Sequence, residues 1–338
     1  MRKMLVILLV HVCLHGSAQD KTAYNNAFDE IEKMLSDKQE SSFKRAVFLT
    51  ENAWYGDSMN YNKFSEAIEL LHGISHMLFA KNDANKDIEL RKSRAIYATL
   101  MDTLYLEASH DSITQIFKTP YGYLFDDFFG EEDWTNMFVT TLILKNKGNC
   151  HSLPYLFKIL SDEFGLKTHL ALAPNHLYIK HATEETGWFN IELTSNSFPL
   201  DAWLMSSGYI TLEAIQNGVY LRALSDKEAV AMCLVDLIQG YQRKFDIACD
   251  SFILSCSNLA LKYFPNYINA LLLKAEALVS CYQEDKNEIL YSEMEKTYLM
   301  IHDLGYKDMP KNMYVNWLSM SNKQEYQNPI LLLNFKNK

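Results

Sequence analysis

Apolar residues recur along this chain at two different periods, and the change from one to the other divides it. From Thr22 to about Leu106 the apolar residues Ala27, Ile31 and Met34, then Phe64, Ile68, Leu71 and Ile74, fall three and four apart with charges between them. That spacing predicts amphipathic helices. The stretch TPYGYLFDDFFGEEDW (119–134) breaks the rhythm with Pro120, Gly122 and Gly130 among aromatic and acidic residues, and sets a boundary near residue 115. Next, Leu153, Leu156, Phe157, Leu160 and Phe164 form one apolar stripe ending at Gly165, which predicts a helix of about four turns. Pro154 lacks a backbone N–H and is tolerated only in the first turn, so this helix cannot start much before Cys150.

A period of two follows. THLALA (168–173), HLYIK (176–180) and WFNIEL (188–193) read as short strands, the last two joined by HATEETG. If Lys180 faces Trp188, then Tyr178 faces Asn190 and His176 faces Glu192, with all six residues on one side of the sheet. From Leu212 the helical period returns and persists. NLALKYFPNYINALLLKA has the rhythm of a tetratricopeptide repeat, with Ala260, Pro265 and Ala275 at three of its preferred positions, although no register of about 34 residues is sustained. The expectation is an α+β protein: a helical segment at 20–115, a core of one helix on a small antiparallel sheet at 116–205, and a helical, tetratricopeptide-like part at 206–338.

With 338 residues, 48% of them hydrophobic, the chain can bury a full core, which excludes disorder as the default. Residues 1–19, MRKMLVILLVHVCLHGSAQ, have a basic start, an apolar run from Met4 to Leu14, and Gly16 and Ala18 ahead of a cut before Gln19. They read as a secretory signal. The formal charge of −10 becomes −12 when Arg2 and Lys3 leave with it. No basic stripe offsets that charge, which argues against nucleic acid or anionic lipid as partner. No later window approaches about 18 unbroken apolar residues, so no membrane span is expected. Val10-His11-Val12 lacks the small residues that would favour lipidation at Cys13. The protein is therefore expected in the periplasm or outside the cell.

Export sharpens the meaning of the cysteines. Five remain after cleavage, Cys150, Cys233, Cys249, Cys256 and Cys281, and an odd number leaves one over in a compartment that pairs thiols. Four lie in the helical C-terminal half, as buried residues or in up to two bridges; Cys150 stands apart in KGNCHSLPYLFKIL (147–160). A thiol attacks an acyl carbon as its thiolate, and a helix N-terminus and a nearby imidazole both favour that form. His176 can supply the imidazole, and Glu192 or Asn190 on the next strand can bind its far nitrogen.

GNCHSLPYLFKILSDEFGL, APNHLYIK and GWFNIELT together resemble the core of the transglutaminase-like branch of the papain-fold cysteine enzymes. In that family a cysteine begins a helix, and a histidine and an acid follow on strands. Its Trp-x-x-x-Asp-Pro-Thr pattern is similar to Trp188-Phe-Asn-Ile-Glu192-Leu-Thr194, with glutamate for aspartate and leucine for proline. The resemblance covers about 145–200, and the longer layout is similar to uncharacterised bacterial proteins of this branch. It implies Cys150 as nucleophile, His176 as base and acid, and Glu192 as the orienting carboxylate, with Asn190 the alternative third member as in papain-type enzymes. Those enzymes also carry a glutamine six residues before the nucleophile, where this chain has Leu144; Asn146 and Asn149 are the nearest candidate donors.

Other patterns carry less. His176 and His181 fall on opposite strand faces, which rules out one ion shared with His169. His72 and His76 lack a glutamate between them and a third ligand, so a packed or solvated helix face is the better reading. Asp126, Asp127, Glu131, Glu132 and Asp133 lack calcium-loop spacing and suit an ordinary surface loop. The expected function is acyl transfer on an amide of a peptide or protein, by hydrolysis more than by cross-linking, with no cofactor. The alternative is a silent scaffold whose C-terminal helices bind a protein partner.

Overall fold

A computed structural model describes residues 21–81, 87–107, 114–320, 327, 328, 331 and 335. The expected signal segment and Cys13 lie outside them. The protein is α+β, and it divides into two units that interleave along the chain, one made of 21–61 with 225–306 and the other of 62–224 with the residues from 307 onward. The sequence texture suggests consecutive segments instead, because periodicity marks elements and is silent on which of them pack together.

The first unit begins with α1 (21–35) and α2 (Phe43–Trp54). Ile31 and Met34 of α1 are buried, as their spacing predicts, and Ser42 caps α2 by accepting from the Arg45 N–H.

The second unit opens with α3 (Tyr61–Lys81), which crosses the boundary at its first residue, and α4 (Ile88–Met101). Buried hydroxyls of Ser75 and Thr99 join these two helices at 2.8 Å. The hairpin of β1 (Leu104–Glu107) and β2 (Thr114–Lys118) follows, then β3 (Gly122–Tyr123), a 3₁₀ turn at Trp134–Met137, α5 (Val139–Lys145) and β4 (Lys147–Gly148), which pairs parallel to β3. The predicted amphipathic helix is α6 (Ser152–Glu163), and Gly165 beyond it takes a left-handed φ of 62°. It packs on β5 (His169–Ala173) and β6 (His176–Thr183), which with β7 (Gly187–Ile191) form an antiparallel sheet in the order β5-β6-β7. Two short helices, α7 (Asp201–Met205) and α8 (Leu212–Gln216), end this stretch.

Four helices then return to the first unit: α9 (Asp226–Phe245), α10 (Ser251–Tyr263), α11 (Ile268–Glu284) and α12 (Glu288–Asp303), each packed on the next. A capping box of Ser225 and Glu228 starts α9, which also packs on α2. Ala260 of α10 and Ala275 of α11 are both buried, on either side of the Pro265 turn between these two packed helices. Cys249 and Cys281 form a disulfide, while Cys233 and Cys256 stay buried thiols. The chain finishes in the second unit with α13 (Lys311–Ser319). No helix among the described residues is long and apolar enough to cross a membrane.

Candidate active site

The start of α6 is built from its own sequence. The first helical turn closes from Leu153 N–H onto Asn149 O at 3.2 Å, and the Asn149 side-chain oxygen accepts the His151 and Ser152 N–H groups, both at 3.0 Å. Asn149 thus satisfies two of the donors every helix start leaves over. Its amide nitrogen donates to Phe128 O at 3.1 Å and to Asn136 O at 3.3 Å. Gly148 is required just before it: a Cβ there would stand 2.6 Å from Ser152 Oγ and 2.7 Å from Leu142 Cδ1. Cys150 follows, with its own N–H taken by neither Asn149 nor the helix ladder.

The acidic aromatic run holds this start in place. Asp127 is buried and accepts the N–H groups of Glu131, Glu132 and Asp133 and the Asn136 side chain, at 2.7 to 3.1 Å. Burial opposes its charge, yet the Asp133 N–H, the Asn136 amide and the other N–H groups outweigh that and hold the carboxyl below its usual range. The loop so fixed presents Phe128 O and Asn136 O to Asn149.

His176 arrives by a two-residue turn. Ala173 pairs with His176 across Pro174-Asn175, where proline fixes one φ and Asn175 takes the left-handed φ of 56°. The carbonyl of Asn175 lies 3.9 Å from Cys150 Sγ, which sets the turn against the thiol. The register of β6 and β7 departs from the expected one: Lys180 faces Asn190, two residues from Trp188, because β6 runs on to Thr183 and the turn tightens to 184–186. A shift of two preserves the faces. Extending the observed register puts Tyr178 opposite Glu192, so His176 meets Glu192 along a diagonal, a distance long side chains can span. His176 Nε2 and Glu192 Oε2 form a short contact, and the other carboxylate oxygen accepts the Thr194 N–H at 2.8 Å and the Thr194 hydroxyl.

Asn190 does not join this pair. Its amide donates to Pro199 O at 2.9 Å and to Asp201 at 2.8 Å, within a separate cluster that includes Lys180. Neither Asn146 nor Asn149 points an amide at the thiol: Asn146 ends α5 with a left-handed φ of 55° and donates to Thr119 and Pro120, and Asn149 is committed as described. Leu144 is 85% exposed and contributes nothing there. Trp188, also largely exposed, lies against His169, while His72 and His76 pack around Phe164.

Electrostatics tie the three groups together. Burial opposes the Cys150 thiolate, but a hydrogen bond and the positive charge from His176, with a hydrogen bond from Tyr314, prevail and hold the thiol below its ordinary range. Burial likewise opposes charge on His176, and the Glu192 carboxylate and Cys150 overcome it, raising the imidazole to about 10. At Cys233 and Cys256, which lack such partners, burial pushes the thiol well up. The arrangement therefore favours thiolate beside imidazolium, the form in which sulfur is a nucleophile.

Tyr314 is the site residue the sequence did not disclose. Its hydroxyl lies 3.1 Å from His176 Nδ1, although 138 positions separate the two. Met309, Tyr314 and Trp317 close over Cys150, Tyr178 and Trp203 in one buried cluster with Phe128. No local signal marked this, since a tyrosine in a short helix has no feature that names its partner.

No family model, curated protein or solved structure matches the chain.

Proposed function

We propose that this protein is an exported, thiol-dependent acyl-transfer enzyme with a transglutaminase-like, papain-fold core, acting on an amide of a peptide or protein. The observation that carries the reading is the convergence of Cys150, His176 and Glu192 from a helix start, a strand start and a strand end. A buried charged pair is costly to maintain and is a common mark of a working site. The helix-on-sheet arrangement of α6 and β5-β6-β7 supports the family assignment, and Thr194, matching the threonine of its motif, braces Glu192.

In this mechanism Glu192 orients and stabilises the His176 imidazolium through Nε2, and Nδ1 is the nitrogen left to serve the sulfur. The thiolate attacks the amide carbon, and the carbonyl π pair moves onto oxygen, held by the Cys150 N–H. As the tetrahedral centre collapses, the C–N bond breaks and the His176 proton goes to the leaving amine, giving a thioester. Water then gives its proton to His176 and its oxygen to the acyl carbon, releasing the acid and the thiolate. The chemistry calls for no cofactor. The Cys249–Cys281 disulfide supports an oxidising compartment, and with it export to the periplasm or beyond. The helical hairpins α9 to α12 offer a surface for a protein partner.

A second reading, a catalytically silent scaffold, is favoured by one observation: Cys150 is only 5% exposed. Iodoacetamide labelling of the individual cysteines from about pH 5 to 10 decides between the two. The enzyme reading expects Cys150 labelling to inflect below the ordinary thiol value of 9.0. In His176→Ala the inflection should rise, and Cys233 and Cys256 should stay unreactive throughout. A Cys150 profile that matches those two, or that ignores His176→Ala, would leave the scaffold.

A further inference from the structure

The reacting atoms are covered by α13. The side chains of His176 and Glu192 are 0% and 1% exposed, and Tyr314 lies against His176. Its hydroxyl lies 3.1 Å from His176 Nδ1, the nitrogen left to exchange a proton with sulfur once Glu192 holds Nε2, and Tyr314 and Cys150 share one buried cluster. With His176 protonated, Nδ1–H donates to the tyrosine oxygen, and the same hydroxyl is among the groups that hold the thiol below its ordinary range.

The attachment of α13 is specific and narrow. Trp317 stacks on Trp203 with ring centroids 4.5 Å apart and planes 8° from parallel. Each indole N–H donates to the other residue's carbonyl, at 3.1 Å from Trp317 and 3.4 Å from Trp203. Asn175, in the turn that delivers His176, donates to Met309 O at 2.8 Å, and at the surface Lys311 pairs with Glu131. Within the nine residues of α13, only Tyr314 and Trp317 are buried. So short a helix has little stability of its own, and an element with only two buried side chains opens before the core around it.

We propose that α13 is a displaceable cap that keeps the site closed, with the Tyr314 hydroxyl filling the place between imidazole and sulfur that a substrate acyl group takes. This rests on the acyl-transfer reading above. The closed state holds the thiolate and imidazolium assembled, and access to them is set by how often α13 leaves.

The test uses the full chain, following Cys150 alkylation at neutral pH together with hydrogen exchange along α13. Trp317→Ala should raise alkylation about 100-fold, the gain in open population expected from losing a buried indole. Lys311→Glu, which places an acid against Glu131 and leaves the core intact, should raise it about threefold. The cap idea is overturned if either variant loosens α13 without speeding alkylation. It is also overturned if the wild type already labels as fast as Trp317→Ala, or if α13 amides are protected as long as those of α6. His176→Ala in the Trp317→Ala background separates the two ideas: fast labelling indifferent to His176 keeps the cap and removes the triad, whereas slow, His176-dependent labelling that ignores α13 does the reverse.

Discussion

Glu192 is one methylene longer than an aspartate, and the sheet register gives that length a use. His176 and Glu192 meet along a diagonal, so an aspartate from the same backbone position would fall short. Glu192→Asp should leave a buried imidazole without its counter-charge and cost about 3–5 kcal/mol in urea unfolding at neutral pH. Glu192→Gln keeps the reach and removes the charge, which allows a test by pH. The folded value of His176, about 10, lies above its ordinary 6.5, so its contribution is whole below pH 6.5 and is lost as pH rises through about 10. Cys150 has the opposite sign: held below its ordinary 9.0, it contributes above that pH and loses the contribution as pH falls through its folded value. The two oppose each other at lower pH, so the wild-type unfolding free energy should fall between about pH 9 and 10 relative to Glu192→Gln. Parallel curves for the two proteins would contradict the assigned pairing.

For single elements, the start of α6 shows how much of a site one helix can specify. The apolar stripe and Pro154 place Cys150 at the N-terminal end without any tertiary knowledge, because proline and the helical period act within a few residues. The same stretch does not reveal what Asn149 does. An asparagine beside a cysteine at a helix start suits an oxyanion donor or a helix cap equally well, and only the positions of Phe128 O and Asn136 O commit its amide to structure. Asn149→Ala should leave the His151 and Ser152 N–H groups without their acceptor and cost about 1–3 kcal/mol, read from thermal or denaturant melts. An unchanged melt would mean that Asn149 is not what fixes the helix start.

Over the whole molecule, chain order and spatial grouping part company. Helices α1 and α2 share a unit with α9 to α12, more than 160 residues further on, and the Cys249–Cys281 bridge ties that unit across 32 positions. Replacing both cysteines with serine should destabilise it by about 3–4 kcal/mol, as closure of a loop of that length implies. Denaturant unfolding with and without reductant checks this, since the double variant should lose all sensitivity to reductant. From the sequence alone one could read the helices, the three strands, the shared face of His176, Tyr178, Asn190 and Glu192, and the cysteine at a helix start. Each of these follows from backbone periods of two and 3.6, which leave their mark on neighbouring residues. The tertiary structure alone decided the two-residue register, the choice of Glu192 over Asn190, the cysteine pairing and the arrival of Tyr314 over the site. Those depend on which distant surfaces fill one another's gaps, and packing between remote segments leaves no periodic trace in the chain.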